Sequence, residues 1–558
     1  MKFLKISAII IITLSIAIYV SSDYFIEQKL KSELTKIINT DSLNYYTFSI
    51  EKLDLSIVTG SVTIKGVKIM PTKAALDSLE RFSNNVRVLI NFSCDKIIMK
   101  ELEIKHFLKT KELIIEKFIV EKPSVTYSFN KNKSHNAKTL ALNNLFSNSF
   151  KKAALGKFII DDAQISIKDI SETQDLVKVD NFYFQLTDAM VDSSTIHRFS
   201  PFDYSNIEFS ADSIHININK DFTILTGALY FNAEKNTTVI NNFKLKPAYS
   251  QKRFSRINTV QKQWVAISLD TFKITDIQFE KLVQHGEFEI NKMTLVNANV
   301  GLFKDKSKPE PLLKKQLLPA SALKNIKMNL TIDTIEVKRS RIVINEKSKI
   351  SGQVSMLSFN ELNAQVYGFT NDSIKLSINN YLSVYAQTKI MNAAPVNFEA
   401  QFNLLSTNDT HTIKAKVGSA QMSVFNKVLE PMMLVVVKSG KIISLDYQYT
   451  ATDTEAFGTL DFEYENVKLE VLNKTEQTKK QGFMSLAANT VLKSNNLKEQ
   501  GKNYSQGVIK AQRVQNKNIF PYLWHTVQSG IIYTMAPALS DVKKQEKKAG
   551  KTGWFKTK

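Results

Sequence analysis

Beyond residue 45 the chain alternates apolar and polar residues in short bursts, the pattern of strands with one buried face. Leu53, Leu55 and Ile57 open the series, with Lys52, Asp54 and Ser56 between them. A more specific spacing then recurs, marked at offsets 0, 2, 5, 7, 10, 12 and 14 from its first residue. One copy is Leu113, Ile115, Phe118, Val120, Pro123, Val125 and Tyr127; a second is Ala153, Leu155, Phe158, Ile160, Ala163, Ile165 and Ile167. A third is Phe288, Ile290, Met293, Leu295, Ala298, Val300 and Leu302, and a fourth is Leu330, Ile332, Ile335, Val337, Ser340, Ile342 and Ile344. The residue at offset 10 is small or Pro in every copy. Residues three apart on a straight strand face opposite sides, so each step of three demands a bulge or bend that restores the apolar side to one face. Bulges twist and curl a sheet. The pattern therefore predicts a long, strongly twisted antiparallel sheet with one apolar face and one polar face rich in Lys, Asn and Thr. An ordinary β-sandwich shares this periodicity, but length and repetition favour an open, extended form.

Interruptions mark connections. Residues 129–138 are polar and 139–154 have the pattern of a short helix. Residues 246–263 read as a basic loop, and 303–324 carry Pro309, Pro311 and Pro319, which exclude a central strand. None has the length of a separate domain, so 45–515 reads as one repetitive β domain.

The ends read differently. Lys2 and Lys5 precede an uncharged apolar run over 6–20, short for a membrane span but extended by Phe3 and Leu4. Val20, Ser21 and Ser22 offer a signal-peptide cleavage site. Tyr24, Phe25, Leu30, Leu34, Ile37 and Ile38 nevertheless continue a near-helical spacing, which favours a retained transmembrane anchor over 1–22 that runs on as a helix through 23–44. The two lysines place the N-terminus in the cytoplasm and send the rest outside. Residues 519–539 are long enough to span, but His525, Gln528 and Ser529 near the middle, with Pro521 and Pro537 at the ends, favour a surface-lying or core-docked amphipathic helix within 516–540. A Lys-rich tail occupies 541–558. Trp524, Lys543, Lys544, Lys547, Lys548 and Trp554 are candidates for contact with anionic headgroups; a solvated tail is the plain alternative.

Composition narrows the classes. With 558 residues and 43% hydrophobic content the chain has enough apolar side chain for a large core. The single Cys94 excludes an intramolecular disulfide. A net charge of +21 attracts nucleic acid, anionic lipid or acidic partners alike, but the lysines are spread along strands without a nucleic-acid motif. His106, His135, His197, His215, His285, His411 and His525 are dispersed, which disfavours a zinc site. Gly550, Lys551 and Thr552 imitate the end of a phosphate loop, but Gln545 stands where its first glycine belongs. There is no Gly-x-Ser-x-Gly elbow. Asp461, Glu463 and Glu465 alternate with Leu460, Phe462 and Tyr464, as the solvated face of a strand does. Neither catalysis, metal nor cofactor is expected.

The run Leu53-Asp54-Leu55-Ser56-Ile57 with Gly60 and Gly66, the four strand units, and the segment Phe425-Asn426-Lys427-Val428-Leu429-Glu430-Pro431 followed by Lys438-Ser439-Gly440-Lys441 and Gly458-Thr459-Leu460-Asp461 carry a likeness. On them the chain resembles the AsmA-like proteins of bacteria. That resemblance implies an inner-membrane anchor, a periplasmic body and a taco-like sheet with an apolar groove, similar to bridge-like lipid transfer proteins. It implies a non-enzymatic role in moving phospholipid between envelope membranes or maintaining outer-membrane composition, with the outer membrane or one of its proteins as distal partner. The groove candidates are Leu113, Ile115, Phe118, Val120, Phe158, Ile160, Ile165, Ile167, Phe288, Ile290, Leu295, Val300, Leu330, Ile332, Ile335, Val337, Ile342 and Ile344. The alternative is a structural envelope scaffold in which the same residues fill a closed β core.

Overall fold

The computed structural model describes residues 45–56, 59–81, 87–103, 106, 109–132, 151–195, 202–311, 315–472 and 492–537. The expected anchor, its helical continuation and the Lys-rich tail lie outside them. The described strands form one large mixed sheet. By its contacts the chain divides into two units, Met1–Lys244 with Thr275–Gly286, and Leu245–Ile274 with Glu287–Lys558.

The first unit opens with β1 (Tyr46–Ser49) and β2 (Lys52–Ser56), both antiparallel to β3 (Ser61–Pro71). Helix α1 (Lys73–Glu80) follows, its first turn capped by Thr72. Then come β4 (Val88–Leu102), β5 (Glu112–Glu121), β6 (Ser124–Phe129), β7 (Lys152–Asp169) and β8 (Val177–Asp192). The unit continues through β9 (Asn206–Ala211), β10 (Ser213–Asn219), β11 (Phe222–Thr226), β12 (Leu229–Asn232) and β13 (Thr237–Pro247). Short strands lie end to end against long ones: β5 and β6 together pair with β4 on one side and β7 on the other.

In place of the expected basic loop at 246–263, Ser250 caps helix α2 (Gln251–Ile257). Next are β14 (Gln263–Ile277), helix α3 (Phe279–His285), β15 (Phe288–Val296), β16 (Asn299–Asp305) and helix α4 (Pro319–Lys324). Phe303 to Asp305 thus end a strand, and Pro309 and Pro311 after them lie outside any strand. The second unit continues with β17 (Leu330–Lys347), β18 (Val354–Thr370), helix α5 (Ser373–Ile378), β19 (Tyr381–Ile390), β20 (Ala394–Asn403), β21 (His411–Val417), β22 (Ala420–Gln421), helix α6 (Asn426–Met433), β23 (Val435–Ala451), β24 (Glu455–Val471), β25 (Gly507–Gln512) and helix α7 (Ile519–Met535).

The sheet is not purely antiparallel, as the sequence pattern suggested. β5 and β6 run parallel to β7, and β15 and β16 run parallel to β17. Connections over 130–151 and 306–329 are long enough to bring the chain back to the end it started from, which a parallel neighbour requires. Of the helical pattern expected over 139–154, residues 139–150 lie outside the described residues, and Lys152 to Ala154 belong to β7 instead.

These parallel pairs unite the sequence repeats. Leu113 faces Ala153, Phe118 faces Phe158 and Val125 faces Ile165. In the second unit Phe288 faces Leu330, Leu295 faces Val337 and Val300 faces Ile342. The first copy lies beside the second, and the third beside the fourth, position against position. Of the two expected bends, the one between offsets 7 and 10 falls at one place in all four copies: Lys122, Asp162, Asn297 and Arg339, at offset 9, have φ of 47°, 56°, 55° and 48°, whereas the step from offset 2 to 5 has no left-handed residue in any copy. A left-handed residue inside a ladder is the geometry of a bulge. The following offset-10 residues, Pro123, Ala163, Ala298 and Ser340, are all buried, which accounts for their small size or rigid ring.

Candidate functional site

Alternation on bulged strands sends one row of apolar side chains after another to the same face. In the first unit, cross-strand partners form the row Ile97, Val120, Ile160, Phe184, Phe209 and Phe231, from β4 to β12. Beside it Met99, Phe118, Phe158, Leu186 and Ile207 form a second. Aromatic rings link them: Phe118 to Phe158 at 5.5 Å between centroids, Phe158 to Phe184 at 6.1 Å, Phe209 to Phe231 at 4.6 Å and Phe231 to Phe279 of α3 at 4.8 Å. Phe182 joins the chain through Phe184 at 6.5 Å and Phe209 at 6.3 Å. Offset and tilted ring pairs of this kind each contribute about 0.5–1.5 kcal/mol beyond burial.

The candidates divide by exposure. Leu113, Ile115, Val120, Ile290 and Ile332 are buried. Phe118, Phe158, Ile160, Ile165, Ile167, Phe288, Leu295, Val300, Leu330, Ile335, Val337, Ile342 and Ile344 are half-buried. The buried ones sit mainly where other apolar residues meet them; Leu113, Ile115 and Val120 belong to a cluster with Leu53, Val62, Ile64, Met99 and Cys94. The half-buried ones present apolar surface that packing leaves partly open. Phe182, Phe184 and Phe209 are half-buried on the same footing, although they fall outside the four repeat copies. Their alternation in Phe182-Tyr183-Phe184 was the available signal.

The opposite face is charged. Lys96 pairs with Glu121 at 3.0 Å, and Lys292 with Glu336 at 2.8 Å. Tyr183 Oη donates to Gln185 Oε1 at 2.8 Å, and Gln185 Nε2 donates to Thr187 Oγ1 at 3.3 Å, forming a polar file along β8.

Toward the C-terminus the apolar face is filled. Helix α7 lies against β24 and β25, burying Tyr522, Thr526, Gly530 and Thr534 at successive turns. Ile519, Leu523, Val527, Ile531 and Met535 pack on the cluster that contains Ile413, Tyr449, Leu460 and Ile509. A Cβ on Gly507 would lie 2.7 Å from the carbonyl oxygen of Gly530, so both glycines permit the close approach. This 17-residue helix is core-docked, and Trp524 on it is exposed. Among the described residues no helix is long and apolar enough to cross a membrane. Lys543, Lys544, Lys547, Lys548 and Trp554 lie outside the described residues.

Reactive groups are engaged structurally. Asp461 Oδ1 accepts from Tyr504 Oη at 2.6 Å, and Glu463 Oε2 accepts from the backbone N–H of Lys498 at 3.0 Å. Burial pushes the Cys94 thiol up to about 12, so it is a packing residue. Among the described residues no group of His, Cys, Asp and Glu is arranged to hold a metal ion. The chain matches no family model and no curated protein.

Proposed function

We propose that the half-buried apolar face of β5 to β12 in the first unit, and that of β15 to β17 in the second, each bind acyl chains of phospholipid, and that the protein is a membrane-anchored, extracytoplasmic lipid carrier without catalytic activity. The carrying observation is the cross-strand aromatic row from Phe118 to Phe231, half-buried over most of its length and backed by a charged opposite face. An acyl chain leaving a bilayer loses about 0.8 kcal/mol per exposed CH₂, so a continuous apolar strip along its path offsets most of that cost. Charge on the other face keeps the same sheet wettable from outside. The filled core under α7 supports a different role for the last strands, that of a rigid closed end resembling a scaffold.

A photoreactive benzoylphenylalanine in place of Phe184, Phe209 or Ile344 tests this reading in membranes that contain the full chain. Irradiation yields phospholipid adducts at these positions and none at Lys157, an exposed residue adjoining Phe158. Equal adducts at Lys157, or none anywhere, contradict it.

A further inference from the structure

One end of the second unit's sheet carries apolar side chains that packing does not cover. The turns joining β18 to β19, β20 to β21 and β23 to β24 lie at this end together with the chain leaving β25. The register requires it: Tyr381 faces Asn403, Phe402 faces His411, His411 faces Ala451 and Glu455 faces Gln512. Helix α5 occupies the first of these turns. Its Leu376 is buried, while Ile374 and Ile378 are 72% and 82% exposed, the two most exposed large apolar side chains among the described residues. Leu405 in the next turn, and Phe520 and Trp524 at the start of α7, are exposed as well.

Hydrogen bonds fix these segments into one surface. Asn371 Nδ2 donates to the carbonyls of Ile326 and Met328 at 3.0 and 2.9 Å, holding the chain after α4 beside α5. The N–H of Leu404 donates to the carbonyl of Asn380 at 2.8 Å, and Lys324 Nζ to that of Ser406 at 2.7 Å. The N–H of Asp453 donates to the carbonyl of Asn408 at 2.8 Å, and Arg513 Nη1 to that of Asp453 at 3.3 Å. The isoleucines are therefore held outward by an ordered frame.

Among the described residues, two cations at this end have no carboxylate partner. Lys324 and Lys327 are exposed, and among the described residues neither makes an ion pair. The carboxylates of these turns have partners of their own: Asp372 accepts from the N–H groups of Ile374 and Lys375, Asp409 from the N–H and hydroxyl of Ser321, Asp453 pairs with Lys315 at 2.6 Å, and Glu455 accepts from Gln512 Nε2. Lys375 is balanced by Glu289 at 3.2 Å. Aliphatic and aromatic tips on separate turns, with lysines between them, fit a fluid anionic interface; a protein partner would need a matching relief for each protruding turn.

We propose that this end docks on an anionic lipid surface, with Ile374, Ile378, Leu405, Phe520 and Trp524 entering the headgroup region and Lys324 and Lys327 meeting phosphates. The inference goes beyond the carrier reading and does not depend on it. The test uses the full chain held in phosphatidylcholine nanodiscs, with an environment-sensitive dye on Ile378→Cys; buried Cys94 stays unlabelled. Added vesicles containing phosphatidylglycerol shift the dye emission to the blue, and pure phosphatidylcholine vesicles shift it several-fold less. The same dye on Asn297→Cys, an exposed bulge position, stays in water. Lys324→Gln with Lys327→Gln weakens partitioning by about 30-fold at low salt. An unmoved dye at Ile378, an equal shift at Asn297, or a shift that appears with protein concentration in the absence of vesicles overturns the proposal. Loss of lipid adducts at Phe184 with the Ile378 shift intact overturns the carrier reading alone.

Discussion

Phe118 and Phe158 occupy the same position in successive sequence repeats, face each other across a parallel ladder, and bring their rings to 5.5 Å. A repeat that stacks on its own copy places like residues side by side, so one apolar position in sequence becomes a stripe across the sheet. The bend at offset 9 is stacked in the same way. The N–H of Lys122 donates to the carbonyl of Asp161 at 2.8 Å, and that of Asn297 donates to Lys338 at 3.0 Å, the equivalent bond in the other pair.

The bulge positions are expected to respond to backbone freedom. Lys122 has a left-handed φ of 47° and is exposed. Lys122→Gly is neutral or stabilises by up to about 1 kcal/mol, whereas Lys122→Val destabilises by about 1–2 kcal/mol. At the next position Ala163→Leu overfills a buried site and costs about 1–3 kcal/mol. Urea unfolding midpoints at constant slope check all three.

Docking of α7 rests on contact between two glycines. Gly507→Ala forces a shift against the backbone of Gly530 and loosens the helix, at a cost of about 1–3 kcal/mol. Hydrogen exchange in α7 speeds up relative to exchange in β7, which the substitution leaves unchanged.

His411 is buried between Phe402 and Tyr522, and its Nδ1–H donates to the carbonyl of Asp409 at 2.7 Å. Burial holds its pKa below the ordinary 6.5, outweighing the hydrogen bond to Asp409. As pH falls through 6.5 the unfolded chain takes up the proton first, so stability present above that value declines toward the lower folded pKa. His411→Phe removes this part of the acid slope, measured as the difference in unfolding midpoint between the two proteins from about pH 7.5 to about pH 5.

The strands and the bulge between offsets 7 and 10 were legible, because that step of three has one local cause and Lys122, Asp162, Asn297 and Arg339 each supply it; the earlier step, from offset 2 to 5, has no such residue. Parallel pairing was not, since facing residues such as Leu113 and Ala153 are brought together by a long connection with no local signature. Helix α2 was hidden in a basic stretch whose one cue was Ser250 before Gln251. Of the candidate site, the repeat offsets located Phe118, Phe158 and Ile160; Phe184, Phe209 and Phe231 belong to strands with other spacings, and only their packing relates them. Burial of Ile115, Ile290 and Ile332 against half-burial of Ile167 and Ile344 likewise depends on neighbours distant in sequence.

If the half-buried apolar face holds lipid, native mass spectrometry of the full chain after detergent removal detects it. Phospholipid is expected to co-purify with the wild type and to fall at least tenfold in Phe184→Asp with Phe209→Asp, while circular dichroism and unfolding midpoint show the variant still folded. Wild-type protein free of lipid, or a folded variant that retains as much as the wild type, contradicts it.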